Sequence, residues 1–189
     1  MQWKIDRRRF AVSILIVAVW FTGFGFGWRH VGGGYNTAIG HASVLVWRML
    51  ATSEASFVRA SSREISLLVE RPLPDGNLLR IPYSYSGYFQ VSVALVVALF
   101  ILTPVFSAVS RLLACLAVLP CMFVFHAFYL TWSLRIGIAR SVLPQLGIDA
   151  SQSVQWTYRL LALAKFVIPL MLWGLAIFVL LKAMRRRTM

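Results

Sequence analysis

Thirty consecutive residues, Ile81 to Ser110, carry no charge, and only Arg111 separates them from a further charge-free stretch ending at Leu134. Runs of that length have few homes. A soluble fold of this size must clothe much of its exterior in polar side chains. About 20 apolar residues in a helix instead match the ~30 Å hydrocarbon core of a bilayer. Two more runs behave alike. Phe10 to Trp28 is free of charge, and Leu160 to Leu181 contains only Lys165, close enough to one end for its stem to reach the headgroups. With 59% apolar residues and a mean hydropathy of +0.75, the chain has lipid as its natural solvent.

The net charge is +13. In a soluble protein that excess would point to nucleic acid. Here the charges sit at the ends of apolar runs, and no basic patch is interleaved with aromatics, so nucleic acid is not expected as a partner. The expected fold is an α-helical integral membrane protein with four transmembrane helices and a small extracytoplasmic α+β segment, a short interfacial helix plus a β-hairpin. The spans are placed at 10–28, 88–109, 112–134 and 160–181. Basic cytoplasmic tails cover 1–9 and 182–189, a cytoplasmic turn covers 110–111, and extracytoplasmic segments cover 29–87 and 135–159. Lys4, Arg7, Arg8, Arg9, Arg111, Lys182 and Arg185 to Arg187 mark the cytoplasmic side, which puts both termini there, in a bacterial inner membrane. The first run reads as an uncleaved anchor, because it outlasts a typical signal core and ends in glycines and aromatics.

The outer segment carries the polar character. Gly32-Gly33-Gly34 reads as a flexible exit, and Asn36 or Thr37 as the cap of a short helix to about Ala51. Residues 52–63 show no clear period. Glu64 to Glu70 alternates as a strand, Arg71 to Asn77 turns with Asp75-Gly76 as its tight element, and Leu78 to Tyr85 returns, with Pro82 marking an edge. Hairpin 64–85 would be marginal alone. It must pack on the short helix, on the 135–159 loop or on a partner. Glu64, Glu70, Arg71, Arg80, Tyr83 and Tyr85 are its partner-binding candidates. Nine outer arginines outnumber Glu54, Glu64, Glu70, Asp75 and Asp149, and lipid headgroups are the cheapest sink for the excess. The expected partners are the bilayer and another membrane protein or exported protein.

Chemistry-bearing motifs are few. Gly23 and Gly27 have the G-x-x-x-G spacing that lets a second helix approach, although glycines also simply loosen the end of a span. Cys121 and His126 could form a thiol–imidazole pair, but a five-residue offset sets them about 140° apart around a helix. Cysteine is often only a small hydrophobe, and histidine often bonds a neighbouring helix. Cys115 and Cys121 are too far apart along a helix for a disulfide. His30 and His41 lack nearby cysteine or clustered carboxylate, so no metal site is expected. No cofactor is expected either: His126 alone would need a partner to ligate haem. The expected spans hold no Asp or Glu, against an autonomous ion-coupled transporter. P-loop, H-E-x-x-H and G-x-S-x-G motifs are absent from the sequence. An accessory subunit is the favoured reading. An intramembrane thiol enzyme using Cys121 and a structural subunit of a membrane redox complex are the alternatives.

From Glu64-Ile65-Ser66-Leu67-Leu68-Val69-Glu70-Arg71-Pro72-Leu73-Pro74 through Leu79-Arg80-Ile81-Pro82-Tyr83-Ser84-Tyr85 and into the next apolar run, the chain resembles small membrane proteins that accompany exosortases, of the exosortase-H-associated type. The plan of one span, a compact outer segment and three spans is similar. The resemblance implies an accessory role in processing or anchoring exported proteins that carry a C-terminal sorting signal, and it implies no catalytic residue. Exosortases themselves use Cys, Arg and His. This chain lacks a Cys-Ser-Gly run around Cys121, so those roles are not carried over.

Overall fold

Gly32-Gly33-Gly34 does not release the chain. In the computed structural model, which describes residues 7–51, 54–72, 76–86, 89–103, 107–141 and 152–187, helix α1 runs unbroken over Arg7–Leu50. A glycine in a helix interior costs about 1 kcal/mol relative to alanine, and close tertiary packing offsets that cost here. The Trp28 indole lies over Gly32, 2.4 Å from where a Cβ would stand, and its Nε1 donates to the Ser62 carbonyl at 3.0 Å. At Gly40 the Phe57 ring comes within 2.5 Å of the corresponding point. The expected first span and the expected separate interfacial helix are therefore one element of 44 residues.

Strands β1 (Glu54–Ala60), β2 (Ile65–Pro72) and β3 (Leu78–Tyr85) form an antiparallel sheet in the order β1-β2-β3. The expected two-stranded hairpin is thus the larger part of a three-stranded sheet. Alternation sets its faces. Ile65, Leu67 and Val69 are buried, while Ser66, Leu68 and Glu70 lie on the outer side. Gly76 takes a φ of 83° in the turn, a left-handed conformation that suits glycine. Leu73, Pro74 and Asp75 of that turn lie outside the described residues. Pro82 pairs across from Leu68 on an edge strand, where its missing N–H costs least. The inner face joins one buried cluster with Ile39, Val44 and Trp47 of α1 and with Tyr129, Leu130 and Leu134 of the helix described next.

Helices α2 (Phe89–Ile101), α3 (Ala108–Ser141) and α4 (Gln152–Arg187) complete the chain. They correct the expectation of four transmembrane helices. At 13 residues, α2 rises only about 20 Å, short of a hydrocarbon core of ~30 Å. Its last turn closes at Leu102 and Thr103, and Pro104 lies outside the described residues. Arg111 donates Nη1 to the Ile101 carbonyl at 2.9 Å, and Ser107 Oγ accepts from the Ser110 N–H at 3.2 Å, capping α3. What was expected as a two-residue turn after a 22-residue span is a break of six residues between α2 and α3. Among the described residues two helical stretches, 108–140 and 159–183, are long and apolar enough to cross a membrane. Only 17% and 6% of their apolar windows are buried within the chain. Large apolar surface left uncovered by the fold points to membrane association.

Below the sheet a second cluster ties three helices together. Val96 and Phe100 of α2 pack with Ala114, Val118 and Met122 of α3, flanked by Leu172, Trp173 and Ile177 of α4. Trp173 Nε1 donates to Thr103 Oγ1 at 3.2 Å. Phe89 meets Tyr129 while Phe100 clusters with Ala114, so α2 runs antiparallel to α3.

Candidate functional site

Among the described residues, His126 is a buried polar side chain that joins separate elements, 1% exposed. The spacing of α3 puts it on the face that meets both α1 and α2. Its Nδ1 lies 2.8 Å from Tyr35 Oη of α1, and its Nε2 lies 3.1 Å from Ser92 Oγ of α2. Ser92 Oγ in turn donates to the Phe89 carbonyl at 3.1 Å. One assignment satisfies every donor: Tyr35 O–H donates to Nδ1, Nε2–H donates to Ser92 Oγ, and Ser92 O–H donates to Phe89 O. The Phe89 ring stacks on the imidazole at 4.3 Å, and Tyr35 stands edge-on at 6.0 Å. A polar group in so dry a place is costly unless fully bonded, and this one is fully bonded.

A second polar contact continues along the α1–α3 seam. Ser43 Oγ lies 2.7 Å from Ile39 O and 3.1 Å from Ala127 O, and Thr131 Oγ1 donates toward Ser43 O at 3.1 Å. Small hydroxyl side chains allow the two backbones to approach and bond, as in packed membrane helices. Higher still, Gly137 of α3 receives the Tyr83 ring, 2.6 Å from where a Cβ would stand. The sheet is therefore fixed by α1 on one side and α3 on the other.

The sequence candidates disperse over this frame. Cys121 is exposed, its Sγ pointing to the Ala117 carbonyl at 3.8 Å, and it does not meet His126. Tyr35 and Ser92 occupy the positions that a thiol and a carboxylate would need for acid–base chemistry. Sequence reading missed both, because each comes from a different helix and only the fold brings them together. Among the described residues no group of three or more His, Cys, Asp or Glu is placed to hold a metal. Among the described residues a Cβ added at Gly23 or Gly27 would meet nothing within 4 Å.

The hairpin candidates divide between two jobs. Tyr83 and Tyr85 point inward, Tyr83 onto Gly137 and Tyr85 against Phe89 and Tyr129 at 5.2 and 6.0 Å. Glu70 and Arg80 face outward as a cross-strand ion pair, Oε1 to Nε 2.9 Å. Glu64 is half-buried at the start of β2, its N–H held by Ser61 Oγ at 3.1 Å. Arg71 pairs with Leu79 in the ladder, and its side chain lies outside the described residues, as do the basic tail over 1–6 and residues 142–151 with Asp149. The arrangement as a whole holds a sheet against a helical bundle, and the Ser92–His126 hydroxyl–imidazole contact lies buried within it. No protein-family model, no curated protein and no solved structure matches the chain.

Proposed function

We propose that this chain is a non-enzymatic accessory subunit of a membrane-bound machine that processes or anchors exported proteins, of the kind that accompanies exosortases. It sits in a bacterial cytoplasmic membrane through α3 and α4. The end carrying Arg111 and Lys182 faces the cytoplasm, by the excess of basic residues flanking the apolar stretches. The sheet then lies at the opposite, extracytoplasmic end. One observation carries the reading: among the described residues the sheet packs its inner face on the bundle and nothing covers its outer face. Leu78 is 57% exposed there, two positions along β3 from Arg80 of the Glu70–Arg80 pair. A rigid, mixed apolar and charged face suits a protein partner.

The test exchanges the two charges. E70R/R80E keeps an ion pair available across β2 and β3 but reverses the charge pattern that a partner meets. Full-length tagged protein is purified from its own cells in mild detergent. The wild type is expected to bring a membrane or exported protein with it, and the exchange variant to lose it while keeping the same melting temperature. A partner retained by the variant, or none held by the wild type, sinks the proposal.

A further inference from the structure

Further toward the start of α1 than Tyr35, the helix borders a cleft that the accessory-subunit reading does not use. It encloses about 290 Å3 between α1, the β1–β2 turn and the first turn of α2, and Trp28, Arg29, Ser62, Arg63 and Gln90 line it together with Phe26. Among the described residues no acidic side chain lines it. Its two arginines come from segments 34 positions apart, and the fold holds the Arg29 side chain and the Arg63 backbone in place. The Arg29 guanidinium lies over the Phe26 ring at 5.4 Å, a stacking that leaves the planar N–H edge available. Arg63 stands on a turn whose Arg63 and Glu64 N–H groups both bond Ser61 Oγ, at 3.2 and 3.1 Å. Two α1 side chains pin that turn. Asn36 Nδ2 donates to Ser61 O at 2.8 Å, and Trp28 Nε1 donates to Ser62 O.

We propose that this cleft is a phosphate-binding site, with Arg29 and Arg63 as its paired ligands. Two guanidinium groups without a carboxylate match a doubly coordinated phosphate better than any neutral ligand. Gln90 adds an amide donor, and it lies in the first turn of a helix whose leading N–H groups lack intrahelical acceptors. The phosphate can belong to an anionic phospholipid or be free. Exposed Phe21 and Phe26 at the rim offer acyl chains a place to lie beside the headgroup. The site is independent of the proposed partner and of the exosortase resemblance.

The experiment uses the full chain in nanodiscs of phosphatidylcholine with graded phosphatidylglycerol, and native mass spectrometry counts retained lipids. R29Q/R63Q is compared with R48Q/R59Q, which removes the same charge from exposed positions elsewhere on the outer segment. The wild type and R48Q/R59Q should retain phosphatidylglycerol alike, and R29Q/R63Q should bind it about 25-fold more weakly, at roughly fivefold for each arginine. Inorganic phosphate is titrated in parallel. Displacement of the lipid by phosphate supports the site with free phosphate as a competent ligand, and loss in R29Q/R63Q without such displacement supports it as a lipid site. Equal losses in both double variants, or no preference of the wild type for phosphatidylglycerol over phosphatidylcholine, overturns the proposal.

Discussion

Tyr35, Ser92 and His126 depend on one another in a way that single substitutions expose. Removing the Tyr35 hydroxyl leaves His126 Nδ1 buried without a donor, which costs about 1–3 kcal/mol. Tyr35→Phe should therefore lower the melting temperature in detergent. Replacing both partners by apolar groups of similar shape removes the orphan. Y35F/H126F should melt above Tyr35→Phe alone, because the ring stack on Phe89 survives in phenylalanine. A double variant less stable than the single would mean that His126 is held by something other than these bonds. Cys121 has no such web around it. Cys121→Ala should change stability by less than about 0.5 kcal/mol and leave partner recovery untouched. Loss of partner processing in that variant would revive a thiol mechanism.

Elements meet through glycines in this fold, and the consequences differ from one glycine to the next. Gly137→Leu puts a side chain where the Tyr83 ring lies, so β3 should lift from α3. Overpacking of this kind costs about 1–3 kcal/mol, and limited proteolysis should cut the sheet while the helices stay intact. Gly23 and Gly27 face open space, so G23A/G27A should stabilise the isolated chain, by up to about 1 kcal/mol per site through helix propensity. The same variant should lower partner recovery only if a foreign helix docks there. These contacts also explain what the sequence disclosed. The alternation of Ile65, Leu67 and Val69 against Ser66 and Leu68 marks β2 plainly, and Gly76 marks the turn. β1 escaped because a register shift between Phe57 and Arg59 breaks the period of two just where a strand would be recognised. α1 looked finished before Gly32 because its glycines are helix breakers by propensity, whereas in the fold Trp28 packs on Gly32 and Phe57 on Gly40 within one continuous helix. The thirty charge-free residues promised a full span, but charge cannot reveal that α2 stops at Ile101. Of the polar node, His126 was visible as an unusual residue in an apolar run, whereas its partners required three helices to be placed together.

At the scale of the molecule, charge and apolar surface divide along one axis. α1 and α3 run side by side in the same sense, since Tyr35 meets His126 and Ser43 meets Thr131 further along both. The sheet caps the end toward which they run, while Arg111 and Lys182 lie toward the other. Between those ends α4 exposes Leu163, Phe166, Leu170, Met171, Leu175 and Phe178, a continuous apolar surface that water would not tolerate. If α3 and α4 cross a bilayer, the two ends must lie on opposite sides of it. Single cysteines in a C115S/C121S background can read this directly. Ser84 on the outer face of β3 and Ala183 near the end of α4 are both exposed, so a cysteine at either position is accessible to reagent. A membrane-impermeant maleimide added to spheroplasts should label Ser84→Cys at once and Ala183→Cys only after lysis. The reverse pattern would invert the orientation drawn from the basic residues. Labelling of both positions in intact spheroplasts would mean that these helices do not separate two compartments, and the apolar face of α4 would then have to be covered by protein.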